Sequence, residues 1–337
     1  MALCRCVVFL ALVACCGAGG ARAQGVLPDE MPPVDAAAIA SLQGENASIS
    51  SAPLTDRYYT NGLQLGWVSP TDYLPAIAGL GRAVFGEGRQ RVAIDISQQI
   101  YTPASTQVAV PPKGDERYAG LLLARFSQIT DTARARGTLA FTIGIVGPSA
   151  LGEETQNGFH GLIGQRRNAG WASQLHDEPV FAVDGSQVWR LPMGSVGGFE
   201  TDVLPGLGLT LGTLRVAVEA GVNFRVGHGL QNDYGAPRVR GLGGGAAFLR
   251  SDELGYYVFA GFGGQAVARD EVLQGTIWNH PGGGVATTPF VGQAQIGLAV
   301  LYGGARLTYA QVFQTQDFKH QHGGLHQLGA LALAFRF

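Results

Sequence analysis

Residues 331–337 read LALAFRF, so that Leu331, Leu333, Phe335 and Phe337 alternate with Ala332, Ala334 and Arg336. An extended chain turns successive side chains to opposite faces, which makes this a strand with one apolar face and one small or charged face. The same pattern recurs upstream. In residues 59–68 the odd positions hold Tyr59, Leu63, Leu65 and Trp67, and the even ones Thr60, Gly62, Gln64 and Gly66. Residues 90–101 oppose Val92, Ile94, Ile96 and Ile100 to Ala93, Asp95, Ser97 and Gln99. Residues 137–147 carry Leu139, Phe141, Ile143 and Ile145 on one face. Residues 214–226 set Leu214, Val216, Val218, Val222 and Phe224 against Arg215, Glu219, Asn223 and Arg225, and charges on the second face imply water there. Further strands are expected around 39–43, 256–269, 290–302 and 305–314, separated by loops such as 231–237 and 279–284. The count is ten to twelve.

The 51 glycines among 337 residues show no collagen or solenoid period, and polar residues interrupt the apolar runs at every second position. No apolar run beyond the leader reaches the roughly 18 residues of a membrane helix, so a chain that crosses a bilayer must do so as a closed barrel. The strands have about the length that a tilted bilayer strand needs. A soluble lipocalin-like barrel or sandwich would also alternate, but with its apolar face inside. A final strand ending on an aromatic is of the kind that outer-membrane barrels present to their insertion machinery. The expected fold is therefore all-β: a transmembrane antiparallel β-barrel of about 12 strands, with a short helix near the active site.

The N-terminus sets the compartment. Arg5 precedes the apolar run 7–14, and Ala21-Arg22-Ala23 supplies the small residues of a cleavage site, giving a signal peptide over 1–23, a tail over 24–40 and a barrel over 41–337. The competing reading acylates Cys15 as a lipoprotein. All four cysteines (Cys4, Cys6, Cys15 and Cys16) lie in this leader, so cleavage after Ala23 removes thiol and disulfide chemistry. The leader also takes Arg5 and Arg22 of the 23 basic residues, leaving 21 against 25 acidic ones, a net charge of −4. Nothing in that balance suits a nucleic acid. The barrel is expected to be monomeric.

One stretch breaks the strand pattern. In residues 147–164, GPSALGEETQNGFHGLIG, Leu151, Phe159, Leu162 and Ile163 recur at helical spacing, and Gln156 and His160, four apart, fall on one helical face. A histidine able to take a proton beside an amide is a candidate catalytic pair; the alternative is a histidine packed in a loop. Other motifs fail. The run 147–151 lacks the last glycine of a nucleophile elbow, and no helix pattern follows the glycines of 241–245. His320, His322 and His326 read as a polar tip between the last two strands rather than a metal site. The Asn46-Ala47-Ser48 sequon is one by spelling only.

Several short motifs together make the chain resemble the outer-membrane lipid A 3-O-deacylases of Gram-negative bacteria. They are Glu45-Asn46, the run 56–62 (DRYYTNG), Ile100-Tyr101-Thr102-Pro103, the run 115–120 (DERYAG), Gly147-Pro148, Gln156-Asn157 with His160 and Gly164, Gly170-Trp171 with Gln174, and Ala268-Arg269-Asp270. The resemblance implies a twelve-stranded barrel in the cell outer membrane. Its active site would lie inside the wall near the outer leaflet and hydrolyse the 3-linked acyl ester of lipid A or lipopolysaccharide. It places the catalytic histidine on His160 and supporting polar residues on Asn46 and Thr60, the latter on the inward set of its strand. It also suggests calcium as electrophile. Two departures remove negative charge: Ala47 stands where the family pattern has an acid, and Arg166 stands six after the histidine where an active member has another. Asp56, Asp115 or Glu153 are candidate substitute ligands, Arg166 is a candidate for holding an oxyanion or a lipid phosphate, and calcium dependence is expected to be weak. A barrel that binds lipid without catalysis, and a pore, are the alternatives.

Overall fold

The computed structural model describes residues 31–50, 57–275, 277–278 and 284–337; the leader and its alternative processing sites lie outside them. Thirteen strands form one antiparallel sheet: β1 (Ile39–Asn46), β2 (Tyr58–Val68), β3 (Arg89–Thr102), β4 (Ala119–Asp131), β5 (Ala135–Val146), β6 (Glu178–Trp189), β7 (Leu191–Val196), β8 (Phe199–Gly212), β9 (Arg215–His228), β10 (Ser251–Asp270), β11 (Phe290–Gly303), β12 (Ala305–Gln314) and β13 (His326–Arg336). β1 pairs with β13, and β6 and β7 both pair with β8 as one interrupted strand, so the sheet closes into a barrel of twelve staves without a free edge. No helix among the described residues is long and apolar enough to cross a membrane.

The alternation has the sense expected of a membrane barrel. Leu65, Ile96, Phe126, Phe141 and Phe262 on the outer face are each 45% exposed or more, while Gln43, Ser97, Gln99 and Arg225 on the inner face are buried. Turns of one to three residues join β4 to β5, β7 to β8 and β11 to β12 at the end that carries Ile39 and Arg336, which is the periplasmic end. The first strand begins at Ile39, where it was expected, and the tail preceding it is held by Asp35, which pairs with Arg91 and with Arg336.

The inner-face charges do not meet bulk water, contrary to expectation. Residues 229–250, between β9 and β10, enter from the periplasmic end and fill the lumen. Arg225 donates to Asp202 and to Asp233 of this plug, both at 2.5 Å, and Arg306 reaches Asp233 at 3.3 Å. Arg136 donates to the carbonyls of Gly244 and Ala247, both at 2.8 Å. Further up, the Arg238 Nε donates to Glu45 at 2.8 Å, and Arg240 lies 5.7 Å from the rings of both Tyr59 and Tyr101. Each of these arginines thus has a carboxylate or carbonyl partner, Arg240 through Asp270 and Asp317 at 3.6 and 3.7 Å, without which it would be strongly unfavourable. Beside the plug the lumen keeps a cavity of about 240 Å³ bounded by Asp95, Arg125 and Asp184.

Two shorter helices lie outside the wall: α1 (Pro75–Phe85) at the periplasmic end, unread in the sequence, and α2 (Gly152–Leu162) at the outer end, where the helical spacing placed it.

Candidate active site

The helix α2 is seated on the outward side of the barrel, not within it. On β3 the outward row runs through Ile94, Ile96, Gln98 and Ile100, of which Ile94 and Ile96 are exposed. Higher on the row, Gln98 donates through Nε2 to the carbonyls of Ala150 and Leu151 at 2.7 and 3.2 Å, and Ile100 is buried with Tyr118 and Trp171. Gly152 starts the helix directly over Gly120 of β4, and a Cβ there would come within 2.7 Å of the Trp171 ring and 2.9 Å of the Gly120 Cα. Only glycine lets the helix come this close. Leu151 before it adopts the left-handed conformation, and Glu153 and Glu154 favour the positive end of the helix dipole.

Gln156, Asn157 and His160 form the buried face of α2. The Trp171 indole N–H donates to the Gln156 Oε1 at 3.1 Å. Asn157 clamps the following loop by donating to the Asn168 carbonyl at 3.1 Å and accepting from its N–H at 2.7 Å. The His160 Nδ1 lies 3.0 Å from the Arg166 carbonyl oxygen. A carbonyl only accepts, so Nδ1 carries the proton and Nε2 the lone pair of the neutral ring. Arg166 therefore meets His160 through its backbone, while its side chain is exposed.

The other expected residues lie on the adjacent wall. Thr60 forms a bulge between Tyr59, which faces Tyr101, and Asn61, which faces Ile100. This corrects the simple alternation: Tyr59 turns into the lumen, where its hydroxyl donates to Glu45 at 3.0 Å, and Thr60 turns out, its hydroxyl 2.7 Å from that of Thr102. Thr60 also donates to the Tyr58 carbonyl. On β1, Asn46 donates to the Asn61 side chain at 3.0 Å and accepts from the Ser48 N–H and hydroxyl at 2.7 and 2.6 Å. The register aligns Asn46, Asn61, Ile100 and Gly120 across four neighbouring strands, a row about 14 Å long at the usual ~4.8 Å strand spacing. Asn46 and Thr60 thus share an outer-face shelf with the seat of α2, though neither hydrogen-bonds to Gln156 or His160. The candidate residues, expected inside the wall, thus sit on its lipid side.

Trp171, Asn61 and Thr102 were within the quoted motifs without assigned roles. Gln98 carried no signal beyond being a polar residue in an apolar row. Of the candidate calcium ligands, Asp56 lies outside the described residues, Asp115 spends its oxygens on the backbone N–H groups of Ala104 and Glu116, and Glu153 is exposed. Ala47 offers no side-chain oxygen, the Asn46 carbonyl oxygen is already doubly engaged, and no group of three acidic or imidazole side chains among the described residues could hold a metal. This donor set does not fit calcium, which takes six to eight oxygens. His326 is buried in the barrel mouth, its Nε2 3.0 Å from the Tyr59 carbonyl, rather than at the tip with His320 and His322.

A closed, plugged barrel with a greasy outer belt and a polar shelf opening to the lipid at its outer end is an outer-membrane protein. The family model of the outer membrane protein LpxR matches residues 6–337, and the chain belongs to that family, the lipid A 3-O-deacylases that the motifs pointed to. LpxR from Salmonella typhimurium has the same fold, with a TM-score of 0.72 at 21% identity over 89% of this chain and 100% of that one. The β domain of the Bordetella autotransporter BrkA follows at a TM-score of 0.43 and 11% identity, over 90% of this chain and 99% of that one. No curated protein matches by sequence.

Proposed function

We propose that the protein hydrolyses the 3-linked acyl ester of lipid A in the outer leaflet, with the His160 Nε2 as general base. The reading is carried by one observation: the Nδ1–H to Arg166 carbonyl bond, which orients the imidazole on the buried face of a helix docked against the lipid side of the wall. Water between the ring and the ester gives its proton to Nε2 as its oxygen attacks the carbonyl carbon. The ring then returns that proton to the sugar oxygen as the C–O bond breaks, leaving a free fatty acid and a sugar hydroxyl. Amide and hydroxyl groups on the shelf, among them Asn46, Asn61, Thr60 and Gln156, are the donors for developing charge on the carbonyl oxygen. No step runs through a metal.

The exposed Arg166 suits a lipid phosphate, the anionic group that such a headgroup brings to the rim. Lipid A or lipopolysaccharide is thus the substrate, the barrel acts as a monomer, and the β13 strand is the part read by the insertion machinery. A lipid-binding barrel without catalysis is favoured by Ala47 and Arg166 alone. Mass spectrometry of lipid A from cells making the native protein and His160→Gln separates the two: native protein removes one acyl chain, and the variant loses about 10² to 10⁴ in rate. Intact lipid A from both, with the barrels folded, would overturn the enzyme reading.

A further inference from the structure

The helix α1 is the largest outer-face feature that this reaction does not use. It joins β2 to β3 at the periplasmic end and runs across the outward side of the wall. The outward row of β3 ends in Gln90 and that of β4 in Gln128 and Thr130, all three buried, whereas Ile94 and Phe126 higher on the same rows are exposed. Gln128 donates through Nε2 to the Ile77 carbonyl at 2.6 Å and to the Gln90 side chain at 3.2 Å, and Thr130 donates to Gln90 at 2.8 Å. At Gly81 a Cβ would come within 2.4 Å of Gln90 and 2.5 Å of Thr130, so the helix backbone rests on this amide patch. Phe85 lies over Gly137 on the outward row of β5, where a Cβ would come within 2.3 Å of the ring. The helix therefore covers three polar side chains that would otherwise face hydrocarbon, where unsatisfied polar groups are costly.

Its other face is greasy. Leu80 and Val84, four apart, are 57% and 53% exposed, and Tyr73 and Leu74 just before the helix are 59% and 45% exposed. Arg82 is the only charged residue of the eleven, long enough to reach the headgroups, and pairs loosely with Glu87 at 4.0 Å. This apolar surface continues the lipid-facing belt: Tyr73 meets the outward Trp67 edge to face at 5.8 Å, and Phe85 covers Gly137, on the same outward row of β5 as the exposed Phe141. Such a helix, apolar on one side and flanked by an aromatic pair and an arginine, has the make-up of an interfacial segment.

We infer that α1 is embedded in the periplasmic leaflet of the outer membrane, with its Leu80 and Val84 face against phospholipid acyl chains. This is independent of the deacylase reading. A chain begun at Gln24 has no cysteine, so Leu80→Cys and Val84→Cys can each carry a single environment-sensitive fluorophore. Leu65→Cys on the belt is the lipid control and Glu87→Cys the water control. Folding is checked by gel mobility without heating, and the labelled barrels are placed in phosphatidylethanolamine and phosphatidylglycerol vesicles doped with nitroxide lipid. Positions 80 and 84 should lose most of their emission to the nitroxide, as position 65 does, and resist aqueous iodide. Quenching by iodide and not by nitroxide, as at position 87, would overturn the inference and leave this face to water or a periplasmic protein.

Discussion

The lumen and the outer face of the wall solve opposite problems. Inside, Arg91, Arg136, Arg225 and Arg238 are buried, and each is matched to a carboxylate. Outside, on β1, β2 and β3, the shelf beside α2 is built from neutral groups: Asn46, Asn61, Thr60, Thr102 and Gln98, with Gln156 and His160 on the docked helix. The lumen can hold charge because the plug brings counter-charges with it. A surface next to hydrocarbon has none to offer, so its polarity is carried by amides and hydroxyls that satisfy one another. The difference teaches that here the conspicuous charges hold the barrel together, and the proposed chemistry falls to the quieter face.

That division can be broken from either side. The largest expected loss of stability is Arg225→Leu, which leaves Asp202 and Asp233 buried without their shared partner. Breaking a buried pair in this way costs about 3–5 kcal/mol, seen as a lower urea midpoint for the loss of the compact gel form. On the outer face, Thr60→Val removes one hydroxyl from the shelf and spares the lumen. The loss is about 1–1.5 kcal/mol, roughly tenfold in deacylation rate, with the urea midpoint nearly unchanged.

A subtler effect sits at the mouth. Glu271, in the turn Glu271–Gln274 after β10, has its carboxyl pushed up from the ordinary 4.5 to about 7, by burial first and by the neighbouring Glu178 second. The folded protein then binds more protons than the unfolded chain across that window, so stability is highest at acid pH and falls as pH rises from about 4.5 through about 7. Unfolding midpoints taken at pH 5 and pH 8 should differ in that sense, and Glu271→Gln should flatten the difference. The smallest expected effect is that of calcium. With Ala47 and Arg166 in place, chelator should change the rate little, whereas abolition by chelator and rescue at micromolar calcium would point to ligands outside the shelf described.

Much of this was legible in the sequence, and for definite reasons. A period of two over ten residues has one structural meaning, so Leu331–Phe335 and Val92–Ile100 read directly, and Gln156 and His160 at helical spacing marked α2, whereas α1 went unread. The strand β8 was harder, because Pro205 and three glycines dilute its alternation. The bulge at Thr60 was illegible: inserting one residue exchanges the faces of everything before it, and local composition does not reveal the insertion. For the same reason Thr60 was assigned to the lumen. The plug was hidden too, since a glycine-rich segment looks like an external loop until Arg136, Arg225 and Arg306 are seen to hold it.

The most direct test compares the two faces in one assay. Purified native protein, His160→Gln and Arg306→Met, each confirmed as a folded barrel by gel mobility without heating, are given lipid A, and the released fatty acid is quantified. The account predicts that His160→Gln releases almost none, while Arg306→Met, whose lost contacts to Asp233 and Gly245 lie wholly in the lumen, releases it at close to the native rate. Undiminished release by His160→Gln, or its abolition in a folded Arg306→Met barrel, would contradict the placement of the chemistry on the outer face.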